Sequence, residues 1–256
     1  MGSASDHILR VEQLSKSFGS NHVLDNVSFS LIPGESLAVL GKSGAGKSVL
    51  FKCITGLLAP DSGEVWMHGQ RLSAASQHQV KELRKQVAVV FQHGALFDSL
   101  PVWRNVMFAP LMHGQGLGRA QARDQAVQLL AQVDLSADIL DLAPASLSGG
   151  MQKRVAIARA LAQQPKLVFF DEPTTGLDPI TAANIDQLIA RVVAQGGLSA
   201  VTITHDLNTA RAISSSALLL DEAKVAWQGA TQVLFEPENA GRLPDTLQKF
   251  LAHRQL

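Results

Sequence analysis

The stretch Gly41-Lys42-Ser43-Gly44-Ala45-Gly46-Lys47-Ser48 limits what this chain can be more than any other. It matches G-x-x-x-x-G-K-[ST] at every position. It follows the apolar run Ser36-Leu37-Ala38-Val39-Leu40 and opens a helical pattern over 47–58. Glycines let the backbone curl so that successive N–H groups face one anion. The helix behind them adds the positive end of its dipole. In this arrangement Lys47 reaches the outer phosphates of a nucleotide and Ser48 ligates Mg²⁺.

The rest of the chain reads as strands alternating with helices. Short strands are expected at 8–11 and 27–31, a hairpin at 63–72 with its turn near His68-Gly69, a helix at 76–86 and a strand at 87–91. From about 102 to 163 the apolar spacing is helical. Apolar runs at 166–170 and 199–203 flank a helix at about 180–194; a hairpin over 216–229 and a last helix over 245–253 follow. Such alternation predicts an α/β sheet with parallel strands.

Composition closes off several classes. Lys plus Arg total 22 and Asp plus Glu total 22, so the basic excess of a nucleic-acid binder is missing. One cysteine, Cys53, rules out an internal disulfide and is expected to be a small buried residue behind the phosphate loop. Met1-Gly2 is a poor acylation start because the sixth residue is Asp6. No apolar run reaches the roughly 18 residues of a membrane helix, so any membrane role is expected to come through a partner. No Asn-Lys-x-Asp stands anywhere in the chain, which argues against a GTPase.

Two carboxylates stand at the end of an apolar strand, Leu167-Val168-Phe169-Phe170-Asp171-Glu172. Ligands of such sheets bind at carboxyl ends of strands. Asp171 is therefore assigned to Mg²⁺ and Glu172 to polarising an attacking water. Ala217-Leu218-Leu219-Leu220-Asp221-Glu222 has nearly the same form. It is set aside because Asp221-Glu222-Ala223-Lys224 lies between two short apolar runs and reads as a hairpin turn.

Leu147-Ser148-Gly149-Gly150-Met151-Gln152, followed by Lys153-Arg154-Val155-Ala156-Ile157-Ala158-Arg159-Ala160, resembles the signature motif of ABC ATPases. The order of motifs is similar too: phosphate loop, Gln92 after a strand, signature, carboxylate strand, Leu177-Asp178 and His205. The resemblance runs from about residue 8 to 236 and implies a P-loop ABC ATPase fold. That fold has a mixed-sheet core, an N-terminal antiparallel β subdomain and an inserted helical subdomain. It implies one domain, with a core at about 1–92 and 164–236, a helical subdomain at about 93–163 and a tail at about 237–256.

The resemblance also implies roles. ATP with Mg²⁺ is hydrolysed between two copies paired head to tail. Each site joins Gly41, Lys42, Ser43, Gly44, Ala45, Gly46, Lys47 and Ser48 of one chain to Ser148, Gly149 and Gly150 of the other. Phe18 falls where the family stacks an aromatic on adenine, with a place in the core as the competing assignment. Gln92 resembles the residue that senses Mg²⁺ and the attacking water, and His205 the one that contacts the γ-phosphate. Asp178 resembles the link between the two sites.

Gly94-Ala95-Leu96-Phe97 and Met151-Gln152-Lys153-Arg154 resemble the ATPases of Mla/MCE-type phospholipid transport systems. This implies permease subunits, MCE-domain and STAS-domain partners, and a place on the cytoplasmic face of a Gram-negative inner membrane. The alternative is an importer of another cargo: an osmolyte, amino acid or anion. Apolar Leu96, Phe97, Leu100, Val102 and Trp103 are expected to divide between a permease-docking groove and the core. The tail carries no motif, and a subunit interface is the expectation for it.

Overall fold

A computed structural model describes residues 7–112, 116–236 and 243–252. Met1 and Gly2 lie outside them. In chain order the elements begin β1 (Leu9–Phe18), β2 (Asn21–Leu31), β3 (Ser36–Leu40), α1 (Lys47–Ile54), β4 (Ser62–Met67) and β5 (Gln70–Arg71). Next come α2 (Gln77–Lys85), β6 (Val87–Val90), α3 (Val102–Val106), α4 (Phe108–Met112), α5 (Arg119–Gln132) and α6 (Gly149–Leu161). The chain continues with β7 (Leu167–Asp171), α7 (Pro179–Gly196), β8 (Ser199–Ile203) and α8 (Leu207–Ile213). It ends with β9 (Ser216–Asp221), β10 (Lys224–Ala230) and α9 (Asp245–Ala252). Two compact units result: Met1–Leu83 with Ser199–Leu256, and Arg84–Leu198.

The first unit carries an antiparallel sheet in the order β2-β1-β4-β5. β1 extends to Phe18, beyond the expected end at Val11, because a bulge absorbs its polar middle. Gln13 sits at φ 48, and the register shifts between Val11 and Leu14 against β2. A Cβ on Gly63 would lie 2.3 Å from the Gln13 carbonyl oxygen, so only glycine fits opposite the bulge. After the bulge Leu14 is again fully buried.

In the same unit β3 lies between β8 and β9, parallel to both, and β10 folds back antiparallel on β9. Every residue of β3 and β8 is buried, as in strands covered on both faces. α1 ends at Ile54 rather than 58. Gly56 takes φ +70 just past it, and Thr55 Oγ1 turns back to the Phe51 carbonyl at 2.7 Å. The tail supplies core: Leu243, Leu247 and Phe250 pack with Leu40, Ala217 and Leu219. The helix expected to reach His253 is described to Ala252, and His253 lies outside the described residues.

The second unit holds the parallel pair β6–β7, in register from Val87↔Leu167 to Val90↔Phe170. Among the described residues, the helical stretch expected over 102–163 holds four α-helices. Gly116 at φ +66, a short turn containing Pro144 and the cap Ser148 divide it. Apolar Val106, Leu130, Val155 and Ala158 are fully buried.

Asn105 is also fully buried. Its Oδ1 accepts from the Phe97 N–H at 2.7 Å, and its Nδ2 donates to the carbonyls of Phe97 at 3.1 Å and Leu100 at 2.9 Å. Asn105→Ala leaves these groups without their partner and is expected to cost about 2–4 kcal/mol. The check is a lower urea midpoint with an unchanged slope. Among the described residues no helix is long and apolar enough to cross a membrane.

Candidate functional site

In the first unit the phosphate loop leaves β3 and Thr204-His205 leaves β8. These strands are paired through Val39↔Ile203, so both segments emerge at the carboxyl ends of neighbouring strands. Gly41 and Gly46 are required by what lies behind them. A Cβ would come within 2.6 Å of the Leu220 carbonyl oxygen at Gly41 and 2.5 Å of the Val23 carbonyl oxygen at Gly46. Gly44 is different: a Cβ there meets nothing within 4 Å, and its φ of +82 is what favours glycine.

Lys47 is 8% exposed, and its Nζ donates to the carbonyls of Gly41 at 2.7 Å and Lys42 at 3.0 Å. The ammonium therefore sits inside the curl of the loop. Lys42, Ser43 and Ser48 are exposed, and Ala45 is half-buried. Cys53 on α1 is buried, and burial pushes its thiol pKa up.

Phe18 ends β1 and is 52% exposed, which removes the core assignment for it. Lys16 Nζ lies 5.6 Å from its ring centroid. His205 is half-buried. It is preceded by the fully buried Thr204, whose N–H bonds the Val39 carbonyl at 3.2 Å. It is followed by Asp206, which caps α8 by accepting from the Asn208 N–H at 2.8 Å.

The rejected pair is a hairpin turn. Glu222 and Ala223 take φ 45 and 66 between β9 and β10. What its sequence hid is that Asp221, Glu222, Ala223 and Lys224 border a cleft of about 580 Å³ together with Lys42, Ser43, Gly44 and Ala45.

In the second unit Gln92 follows β6, while Asp171 ends β7 with Glu172 next. Val90↔Phe170 pairing makes these neighbouring strand ends as well. Glu172 takes φ 47, a left-handed conformation that a β-carbon disfavours. Thr175 Oγ1 donates to its carboxylate at 3.0 Å.

Ser148 caps α6, its Oγ accepting from the Met151 N–H at 3.3 Å. Gly149 and Gly150 form the first turn, where N–H groups lack helical partners. Asp178 caps α7 by accepting from the N–H groups of Ile180 and Thr181. Hydrogen bonds from Thr181 first, and then Ile180, hold its carboxyl below the usual carboxylate range. The two helix starts approach closely: a Cβ on Gly150 would lie 2.8 Å from Thr181 Cγ2.

The sequence placed Lys153 and Arg159 in motifs but gave neither side chain a role in the site. Lys153 is buried and its Nζ donates to the Gln92 carbonyl; burial pulls its pKa down while Asp171 and Glu172 pull it up. Arg159 donates to the carbonyls of Gly94 at 2.8 Å and Ala95 at 2.7 Å. The only sequence signal was three cations, Lys153, Arg154 and Arg159, on a helix that is otherwise largely apolar.

Of the apolar residues expected near a docking groove, Val102 and Trp103 are buried, Leu96 and Leu100 are half-buried and Phe97 is exposed. Trp103 lies among the guanidinium groups of Arg104, Arg119 and Arg123. Asp98, Leu100, Trp103, Arg104, Arg119 and Asp141 are among the residues lining a cleft of about 520 Å³.

A strand–glycine loop–helix with a buried lysine, and a second glycine helix start beside a carboxylate strand, define a P-loop ATP-hydrolysing cassette. The chain belongs to the ABC transporter family, whose profile matches residues 24–175. It is 35% identical to the histidine/lysine/arginine/ornithine transport ATP-binding protein HisP of Escherichia coli (strain K12), over 96% of this chain and 98% of that protein. It is 39% identical to protein trigalactosyldiacylglycerol 3, chloroplastic, of Arabidopsis thaliana, over 89% of this chain and 70% of that protein. Its fold matches the ATP-binding cassette MJ0796, solved as a dimer in a post-hydrolysis state bound to ADP and Pi. The TM-score is 0.79 at 29% identity, covering 87% of this chain and 98% of that one. ATP hydrolysis is the activity of this class, and its cassettes form dimers and work with membrane permease subunits.

Proposed function

We propose that two copies of this chain, paired head to tail, hydrolyse ATP to drive a membrane permease. The observation that carries this is the presence of two helix starts suited to anions that differ in the side chains they bring. α1 brings Lys47 and Ser48; α6 brings Ser148 and bare glycine N–H groups. The second start complements a nucleotide already held by another chain's phosphate loop.

In this proposal Phe18 stacks on adenine and the loop 41–46 wraps the phosphates. Ser48, Gln92 and Asp171 would hold Mg²⁺ through oxygen ligands of the kind it takes, and the ion would neutralise charge on the phosphates. Glu172 polarises the attacking water, His205 contacts the γ-phosphate and Asp178 links the sites. The cleft beside Trp103, with Arg104 and Arg119 at its edge, receives a cytoplasmic segment of the permease.

For the cargo, an amino acid has the stronger support, since HisP matches nearly the whole of both chains. A second reading is phospholipid moved between the two membranes of a Gram-negative bacterium, with MCE-domain and STAS-domain partners. It is supported by Gly94-Ala95-Leu96-Phe97, by Met151-Gln152-Lys153-Arg154 and by the relative whose name is that of a galactolipid. Affinity purification from the native membrane in mild detergent, with mass spectrometry of proteins and lipids, separates them. A permease with a solute-binding protein supports the amino-acid cargo; a permease with an MCE-domain protein and phospholipid supports the lipid cargo. Recovery of no permease overturns the transport role.

A further inference from the structure

We propose that Lys153 and Arg159 are positioning residues that clamp the Gln92 loop to the signature helix, so that the two move as one piece. The inference rests on the roles proposed above for Gln92 and for Ser148, Gly149 and Gly150.

Three backbone carbonyls of one loop are held from one helix. Lys153 Nζ takes the Gln92 carbonyl, and the two Nη groups of Arg159 take those of Gly94 and Ala95. Gly94 and Ala95 are both left-handed, at φ +69 and +48, and this irregular backbone leaves their carbonyls to the guanidinium. Ala156 stands midway between the two cations at intervals of three residues, which places all three along one side of α6. A Cβ on Gly94 would lie only 3.5 Å from Ala156 Cβ, so the loop rests against the helix between its two anchors.

Packing alone does not call for this chemistry. A leucine would cover the same side of α6 without desolvating a cation. Lys153 is buried and Arg159 half-buried, and burial lowers the pKa of both. What the cations supply is a fixed position for carbonyls beginning at Gln92 itself. In a head-to-tail pair the signature helix touches the partner's nucleotide, while Gln92 serves the chain's own. The clamp therefore makes a displacement at one nucleotide felt at the other.

The test is ATP turnover by the purified full chain as a function of ATP concentration, for Lys153→Met, Lys153→Arg and Arg159→Leu, with thermal unfolding measured on each. Lys153→Met and Arg159→Leu are expected to lower kcat about tenfold or more, as small misplacements of a site do. KM for ATP is expected to change less than about twofold, because the phosphate loop is untouched. Any cooperativity in ATP should fall, and Lys153→Arg should recover most of kcat. A loss that merely follows the folded fraction, no recovery with arginine, or unchanged kcat overturns the clamp. Gln92→Ala runs in parallel. If it lowers kcat while Lys153→Met and Arg159→Leu do not, the clamp alone falls. If Gln92→Ala turns over ATP at full rate, the role of Gln92 falls and the clamp with it.

Discussion

Glu172→Gln is expected to lower ATP turnover by about 10²–10⁴-fold, the range for removing a positioned general base, while ATP binding survives. The substitution keeps the side chain's size and an oxygen able to accept the Thr175 hydroxyl, which donates to Glu172 at 3.0 Å. It removes only the negative charge and the proton acceptor. The left-handed backbone at Glu172 is set by the turn after β7, not by the carboxylate, so the position should hold. A non-Gly residue in that region is strained, and strain of this kind gathers at functional sites. Single-turnover hydrolysis and size-exclusion chromatography with ATP are the measurements. The expected result is a pair of chains locked by ATP. Near-normal turnover would remove Glu172 from the chemistry and leave the strained turn as a structural feature.

Lys47→Ala is expected to weaken ATP binding by about 10- to 100-fold, the equivalent of one or two charge-assisted hydrogen bonds. Lys47 is the buried cation of the phosphate loop, and its ammonium reaches the Gly41 and Lys42 carbonyls. Phosphate oxygens held by the loop's N–H groups would face that charge directly. Alanine is a good helix former at the start of α1, so the helix itself should persist. The measurement is titration with a fluorescent ATP analogue, alongside thermal unfolding to show that the loop still folds. Unchanged affinity in a folded variant would take the phosphate-binding role from this loop.

Much of the site was legible because its parts are local. The phosphate loop is eight consecutive residues, and the carboxylates directly follow an apolar strand. The caps by Ser148 and Asp178 act on N–H groups two or three residues away. The hairpin turn at Glu222 and Ala223 was also readable, from the short apolar runs on either side. Less legible were features where a polar residue hides in a regular element. Gln13 breaks the apolar alternation of β1, so the strand looked shorter than it is, although the bulge lets it continue. Within the helical pattern over 102–163 the glycines at 114, 116 and 118 mark one break, whereas the loop over 133–147 is largely apolar and hid the other.

The type and order of the local motifs therefore follow from the sequence, since a turn, a cap or a strand end depends on bonds between near neighbours. The tertiary structure alone decided which distant pieces share a carbonyl or a wall. Lys153 meets Gln92 across 61 residues, and Arg159 meets Gly94 across 65. Asp221 and Glu222, correctly read as a turn, came to lie beside the phosphate loop, and a motifless tail became core. The physical reason is that these contacts arise from packing of whole elements. A cation or an apolar side chain is compatible with many partners until the surrounding helices and strands leave it one.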